Sequence, residues 1–393
     1  MQSLNMIEQE KFRKRIKDLF QSAEMKKLID EVRSGNKDYD PRKIYQILGE
    51  QGLLAPNLPK EYGGLDKSLF ETAALIEEMS LNGVPESLHV LSVLIVANLL
   101  YLSATKVQKQ KYLPELATGE KFACILYSEP KIGSDLSALE TKASLCKDGT
   151  YQLYGRKVYS MKTHLSDYGL CAARTSNKSS KYEGLTLFMV PLDSKGVTIN
   201  AIPSLSDESL FEVILDGVTV TEDDIIGKKD EGWSIINKAL SVERTGLDYY
   251  VRAIRWFNLI FERAIMDNEV ESENFLIEFS RLKCKLDSSR YLTYKVLDQL
   301  ESTGSVDESL AAISKWYSSE LACEIVWKGL ELRGIKASLS EEHGYNPLYG
   351  SLEAAYREAP GLTLSAGTSE ILLESISKFQ LNISEKRNDE NVI

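Results

Sequence analysis

The sequence predicts an α+β chain in three blocks: a helical N-terminal domain over 1–120, a β domain over 121–228 and a C-terminal helical bundle over 229–393. Three observations carry this. Apolar residues recur at helical spacing among charges through the first third. From near Phe122 to about Gly217 the period drops to two, with turn residues between short runs. From Trp233 the helical period returns in long stretches joined by short polar loops, the pattern of a four-helix-type bundle. With 393 residues, 43% hydrophobic and 27% charged, the chain can bury a sizeable core in two or three subdomains.

In the first block, Glu8 to Val32 reads as one helix. Pro41 to Gly52 reads as a short one, with Asp40 as N-cap, Pro41 at the first position and Gly52 at the stop. Pro56 to Gly64 is turn-rich. Leu69 to Leu81 and Pro85 to Leu102 are helices, the latter buried and too short to span a bilayer. A further helix begins at Thr105 and is expected to end at Pro114.

In the second block, Tyr151 to Val158 alternates after the hairpin turn Asp148-Gly149. Gly169 to Thr175, Leu185 to Pro191, Val197 to Ile202 and Phe211 to Leu215 also read as strands. Strands without intervening helices predict an antiparallel, barrel-like sheet. In the third block, Ile235 to Ile265, Phe275 to Glu301 and Asp307 to Arg333 are long helices. A looser stretch, Gly334 to Gly350, precedes two last helical pieces, and the tail after Asn382 is charged.

Composition excludes several functions. The net charge of −11 disfavours a nucleic-acid partner, because phosphate binding needs a basic surface. The five cysteines are scattered, without a CxxC pair, as in a reduced cytoplasmic protein. The three histidines, His89, His164 and His343, form no ligand pattern, so no metal is expected. The polar N-terminus has no apolar core of a secretory signal, and no membrane span is expected.

Several segments resemble one family. Gly52-Leu53-Leu54 with Pro59-Lys60-Glu61-Tyr62-Gly63-Gly64 is similar to its N-terminal segment. Gln108 to Pro114 with Gly119-Glu120 resembles the lead into its β domain. Ser128-Glu129-Pro130 with Gly133-Ser134-Asp135 resembles its TEPxAGSD signature. Gly227, Glu231-Gly232-Trp233 and Glu243-Arg244 resemble the entry to its bundle, and Tyr356 to Ala359 with Gly367-Thr368-Ser369-Glu370 its last signature. The family is the acyl-CoA dehydrogenase superfamily, and the resemblance covers nearly the whole chain in order.

The resemblance implies removal of an α-proton from an acyl thioester and transfer of the β-hydrogen as hydride to FAD. Such a weak acid needs a carboxylate base in an apolar pocket and hydrogen bonds to the thioester oxygen. Most members place the base directly before the GT of the last signature, which here is Ala366. A minority, similar to isovaleryl-CoA and long-chain acyl-CoA dehydrogenases, supply it from the bundle helix directly before an arginine. Glu243-Arg244 stands at that place, so Glu243 is the expected base.

For substrate, the resemblance implies Arg244 near the thioester and pantetheine, Ser134 near the thioester and CoA portion, and the backbone of Ala366 and Gly367 at the thioester oxygen. For FAD it implies Ser128, with Tyr127 beside it, Ser134, Thr368 and the segment Tyr159-Ser160-Met161. Tyr159 would stack on the flavin ring.

The adenylate side departs from the pattern. The RxxFG motif is not recognisable, and the region Ala264 to Asn274 carries Asp267, Glu269, Glu271 and Glu273, which would repel a pyrophosphate. The QxxGG motif reads Glu331-Leu332-Arg333-Gly334-Ile335. Three readings therefore stand: a flavin-dependent dehydrogenase of an acyl-CoA or an acyl carrier protein thioester, in the latter case in a biosynthetic pathway; a flavin-poor or non-catalytic homologue; and a lyase or dehydratase on the same scaffold. A homodimer or homotetramer is expected from the family.

Overall fold

A computed structural model of the chain describes residues 2–33, 40–266, 268, 270, 272–334 and 352–380. Helices α1 (Gln2–Phe20), α2 (Ala23–Arg33), α3 (Arg42–Glu50), α4 (Leu69–Leu81), α5 (Ser87–His89), α6 (Asn98–Ser103) and α7 (Lys106–Thr118) form the first block. Strands β1 (Ala123–Leu126), β2 (Lys142–Leu145), β3 (Tyr151–Met161), β4 (Tyr168–Arg174), β5 (Leu185–Pro191), β6 (Val197–Ile202), β7 (Leu210–Val220) and β8 (Ile225–Ile226) form the second. Helices α8 (Gly232–Glu243), α9 (Leu247–Met266), α10 (Glu273–Thr303), α11 (Glu308–Arg333), α12 (Leu352–Leu362) and α13 (Ser369–Gln380) form the third.

The first block differs from expectation in three places. The single helix expected over Glu8 to Val32 is broken at Gln21-Ser22, where the Ser22 hydroxyl accepts from the Met25 N–H at 3.3 Å and starts α2. The cap of α3 lies one residue later than expected, at Pro41, while Asp40 accepts from the Arg42 N–H at 3.1 Å. Pro114 sits inside α7 instead of ending it. Its lost hydrogen bond is outweighed by burial of Tyr112, Leu113, Leu116 and Ala117, and Gly119 in the left-handed region ends the helix (φ 70°).

The buried stretch after Pro85 is helical throughout, with a π-helical turn over Val90–Ala97 between α5 and α6. Asn98 Nδ2 donates to the Leu94 carbonyl at 2.8 Å, returning a partner to the loosened backbone.

Gly49 on α3 shows how closely the helices approach. A Cβ there would lie 2.1 Å from the Thr118 carbonyl oxygen of α7. Gly49→Ala must push the two helices apart, and we expect it to lower stability by about 1–3 kcal/mol. A denaturation midpoint equal to that of the parent contradicts this.

The sheet runs β6-β7-β3-β2-β4-β5-β8, with β1 off the path beside β4. Most neighbours are antiparallel, as expected, but β1 pairs parallel with β4, and β2 pairs parallel with β4 at Lys142 and Arg174. The short β1 and β2 lacked enough alternation to be read from sequence. In β3 the register against β7 shifts between Lys157 and Ser160, a bulge that holds Tyr159 at φ 60°.

The long helix expected over Ile235 to Ile265 is two helices. Gly246 breaks it at φ 85°, and a Cβ there would meet Ser314 Oγ of α11 at 2.5 Å. In the bundle α11 is central, packed on α9, α10, α12 and α13. Asp307 caps α11 by accepting from the Ser309 and Leu310 N–H groups. Ile335, Asp267, Glu269 and Glu271, most of the looser stretch and the tail after Asn382 lie outside the described residues.

Candidate active site

The break after α8 sets up the site. It leaves Glu243 as the last residue of one helix and Asp248 in the first turn of the next. Both border a cavity of about 1130 Å³ between the sheet and the bundle. The same cavity is lined by each residue singled out from sequence: Tyr127, Ser128, Ser134, Tyr159, Ser160, Met161, Glu243, Arg244, Ala366, Gly367 and Thr368.

The Glu243 carboxyl is half-buried and faces this cavity. Desolvation raises its pKa to about 7, against the lowering pull of Arg244 and Lys315, and Asp248 adds to the rise. A carboxylate poised there can accept a proton near neutrality. Lys315 stands behind the wall on α11. Burial lowers its pKa to about 8, opposed by Glu243.

Lys315 and Arg244 together fix the loop before α13. Lys315 Nζ donates to the Leu362 carbonyl at 2.9 Å and to the Gly367 carbonyl at 3.0 Å. Arg244 Nε donates to the Ala366 carbonyl at 2.8 Å. Ala366 and Gly367 both hold positive φ, 55° and 106°. The turn is strained at a non-glycine residue, and the cationic donors on its carbonyls hold it. A Cβ on Gly367 would approach the Arg244 guanidinium at 3.2 Å.

On the sheet side, the bulge at Tyr159 leaves that ring 60% exposed. Ser160 Oγ donates to the Ile125 carbonyl at 2.8 Å. Tyr127 is 6% exposed and its hydroxyl makes no hydrogen bond, although it borders the cavity. Burial, then Glu243, push that phenol well above its usual range. Beneath it, the buried Lys157 Nζ donates to the Tyr127 carbonyl at 3.1 Å and to Glu129 at 2.9 Å, which anchors the strand–loop carrying Ser128. Ser134 lies exposed at the mouth on the loop that Asp135 ties to Lys181.

Sequence reasoning missed a polar cluster in the same wall: Glu208, Asp248, Arg252 and Glu358. Asp248 and Arg252 stand four residues apart on α9, a spacing that places them on one face. That signal was readable, but phasing α9 required the break at Gly246.

Three family models match the chain in order: acyl-CoA dehydrogenase N-terminal domain over residues 7–120, middle domain over 124–218 and C-terminal domain over 230–381. The chain belongs to the acyl-CoA dehydrogenase family. It is 25% identical to acyl-CoA dehydrogenase FadE26 of Mycobacterium tuberculosis over 392 aligned positions, covering 96% of this chain and 97% of that one. Two solved structures share the fold. One is butyryl-CoA dehydrogenase from Megasphaera elsdenii (TM-score 0.83, 22% identity, 95% of this chain and 98% of that one). The other is the prolyl acyl carrier protein oxidase AnaB (TM-score 0.82, 23% identity, 95% and 98%).

This acyl-CoA dehydrogenase family member is an oxidoreductase of the CH–CH type. Its family's members are FAD flavoproteins. Among the described residues no helix is long and apolar enough to cross a membrane, and no group of side chains suits a metal ion.

The residues present fit the ring end of a flavin. The unpartnered Tyr127 hydroxyl faces a cavity larger than a short acyl chain needs, and the Tyr159 ring is presented at its edge. In the segment that the resemblance assigns to the adenylate side, Glu331 is paired with Lys328 at 2.6 Å and Gly334 ends α11.

Proposed function

We propose that this protein removes an α-proton and a β-hydride from an acyl thioester, with Glu243 as the base and FAD as the acceptor. The observation that carries this is one half-buried carboxylate at the end of α8, raised by desolvation and lining the same cavity as the loop on which Ala366 offers no acid. Glu243 takes the α-proton onto its carboxylate. The backbone N–H of Ala366, in a turn pinned by Arg244, donates to the thioester oxygen as negative charge develops. Arg244 orients the thioester and pantetheine end, and Ser134 lies where the CoA portion enters.

Tyr127, Ser128, Ser160, Met161 and Thr368, which line the cavity, would hold the flavin ring, and the Tyr159 ring would offer it a stacking face. When bound, FAD supplies the two-electron acceptor for the β-hydrogen as the carbon–carbon double bond forms.

The test is direct. Purified protein should be yellow, and anaerobic addition of an acyl thioester should bleach the flavin band. Colourless protein that takes up no added FAD supports the non-catalytic reading. Yellow protein whose band stays intact while it eliminates water or another leaving group from a β-substituted acyl thioester supports a lyase or dehydratase.

The rate should also follow the Glu243 carboxylate. Only the ionised form accepts a proton, so the rate constant for flavin reduction should rise with pH through about 7 and level above it. A profile flat from pH 5 to 9 contradicts the assignment.

The acyl group is carried on coenzyme A or on a carrier protein. The departures from the common pattern, Ala366 and the acidic adenylate side, favour a biosynthetic role on a carrier-bound acyl group. Faster turnover of the free CoA ester counts against that role. We also infer a homodimer or homotetramer. Phe261, Ile265, Met266, Leu276, Ile277 and Trp327 expose large apolar surface on α9, α10 and α11, which suits a second copy. A single-chain mass by light scattering contradicts it. The free thiols at Cys124, Cys146, Cys171, Cys284 and Cys323 fit a reducing, cytoplasmic setting.

A further inference from the structure

The loop between α12 and α13 is held from the bundle by side chains of α9, α11 and the end of α8. Lys315 on α11 is fully buried, and its ammonium is directed at that loop: Nζ donates to the Leu362 carbonyl at 2.9 Å and to the Gly367 carbonyl at 3.0 Å. Arg244, the residue after Glu243, donates to the intervening Ala366 carbonyl at 2.8 Å. The Tyr249 hydroxyl on α9 meets the Ser365 hydroxyl at 3.0 Å, and its ring centre lies 5.0 Å from the Lys315 ammonium.

Lys315 is also tied to the element that carries Glu243. Its neighbour Ser314 donates to the Thr245 carbonyl at 2.8 Å, beside the close approach at Gly246 that parts α8 from α9. The end of α8, the strained turn at Ala366 and the Lys315 ammonium are thereby joined into one unit.

Holding a loop does not by itself call for a buried charge. Taking an ammonium out of water is costly, and an apolar side chain of similar length would fill the space without that cost. What the charge adds is its effect on Glu243. Desolvation raises that carboxyl, Arg244 and then Lys315 draw it down, and Asp248 adds to the rise. The phenols of Tyr127 and Tyr249 also feel Glu243. Lys315 in turn is under the influence of Glu243, Arg244, Glu320 and Cys323.

We propose that Lys315 is a positioning residue for proton abstraction: its two carbonyl bonds hold the turn that presents the Ala366 N–H to the thioester oxygen, and its charge stabilises the Glu243 carboxylate. Lys315 does not line the cavity, so it acts through Glu243 and the loop and not on the thioester itself. The assignment deepens the acyl-thioester reading and rests on it.

The experiment uses the FAD-loaded full chain and the variants Lys315→Met and Lys315→Arg. It reads the rate constant for flavin reduction against pH and, by calorimetry, the binding of a thioether analogue that cannot be oxidised. It also reads the titration of the Glu243 carboxyl by infrared difference spectroscopy, with the band assigned by its loss in Glu243→Gln. In Lys315→Met the limiting rate should fall about 10- to 100-fold, the scale of a small misplacement of reacting groups, while the thioether binds as it does to the parent. The inflection of the rate and the infrared titration should both move upward from about 7, because a charge that lowers the carboxyl is gone. Lys315→Arg keeps a cation and its donors, so it should return the inflection to about 7 and recover most of the rate. If Lys315→Met does not fold, Lys315→Gln gives the same readouts with an uncharged polar side chain.

Full rate in the uncharged variant overturns the proposal. So does a lowered rate with the inflection still at about 7, the mark of a structural role alone. Lys315→Arg that titrates like Lys315→Met overturns it as well. The two readings fail separately. A parent protein inert towards every acyl thioester, with the Glu243 titration still displaced in Lys315→Met, removes the dehydrogenase reading and leaves the coupling of Lys315 to Glu243. Flavin reduced by the parent and by Lys315→Met with the same rate and the same inflection removes this one alone.

Discussion

Glu243→Gln should lower the rate of flavin reduction by an acyl thioester roughly 10²–10⁴-fold, the usual contribution of a positioned base. Glutamine keeps the volume and the hydrogen-bonding reach of the side chain but cannot accept a proton. The flavin content and the circular dichroism spectrum should match the parent protein. Loss of less than about tenfold would place the base elsewhere.

The same variant has a stability signature whose sign is fixed. The Glu243 carboxyl titrates near 7 in the fold and at its ordinary 4.5 when exposed. Between those values the folded state holds the proton and the unfolded state releases it, so the parent loses stability as pH rises through that window. Glutamine removes this loss. Melting temperatures of variant and parent should diverge in favour of the variant between pH 4.5 and 7, then run parallel.

Arg252→Met should be the most damaging single change to stability outside the apolar core. Its guanidinium is the shared partner of Glu358, Asp248 and Glu86, all drawn into the interior. Removing one member of a buried ionic group leaves the others uncompensated, at about 3–5 kcal/mol. Chemical denaturation should show that loss. A change below about 1 kcal/mol would mean that water reaches the cluster freely.

How much of this was legible in the sequence depends on which signal each feature leaves. The three blocks showed through the switch between periods, because helical and extended burial leave different spacings. Glu243 is proposed through an absence, since Ala366 cannot take a proton and the Glu243-Arg244 pair offers the alternative. That pair and the loop also proved to be neighbours, joined by the bond from Arg244 to the Ala366 carbonyl.

The rest was invisible for physical reasons. The break at Gly246 depends on the close approach of Ser314, a residue nearly seventy positions away. Without it, α8 and α9 read as one helix, and Asp248 cannot be placed against Glu243. The bulge at Tyr159 is set by its register with β7, not by the local sequence. Pro114 reads as a stop because its local penalty is easily seen, whereas the burial that outweighs it comes from partners elsewhere. Lys315, Glu208 and Arg252 left no motif at all. Each matters through carbonyls or carboxylates that only the fold brings near.

The central claim is that Glu243 moves the α-proton, and it can be separated from hydride transfer altogether. An acyl thioester without β-hydrogens cannot reduce the flavin, yet its α-hydrogen remains open to abstraction. Incubated in deuterium oxide with the parent protein, it should gain deuterium at the α-carbon, faster as pH rises through about 7. With Glu243→Gln the incorporation should fall to the uncatalysed rate. Undiminished exchange in that variant would show that a different group takes the proton.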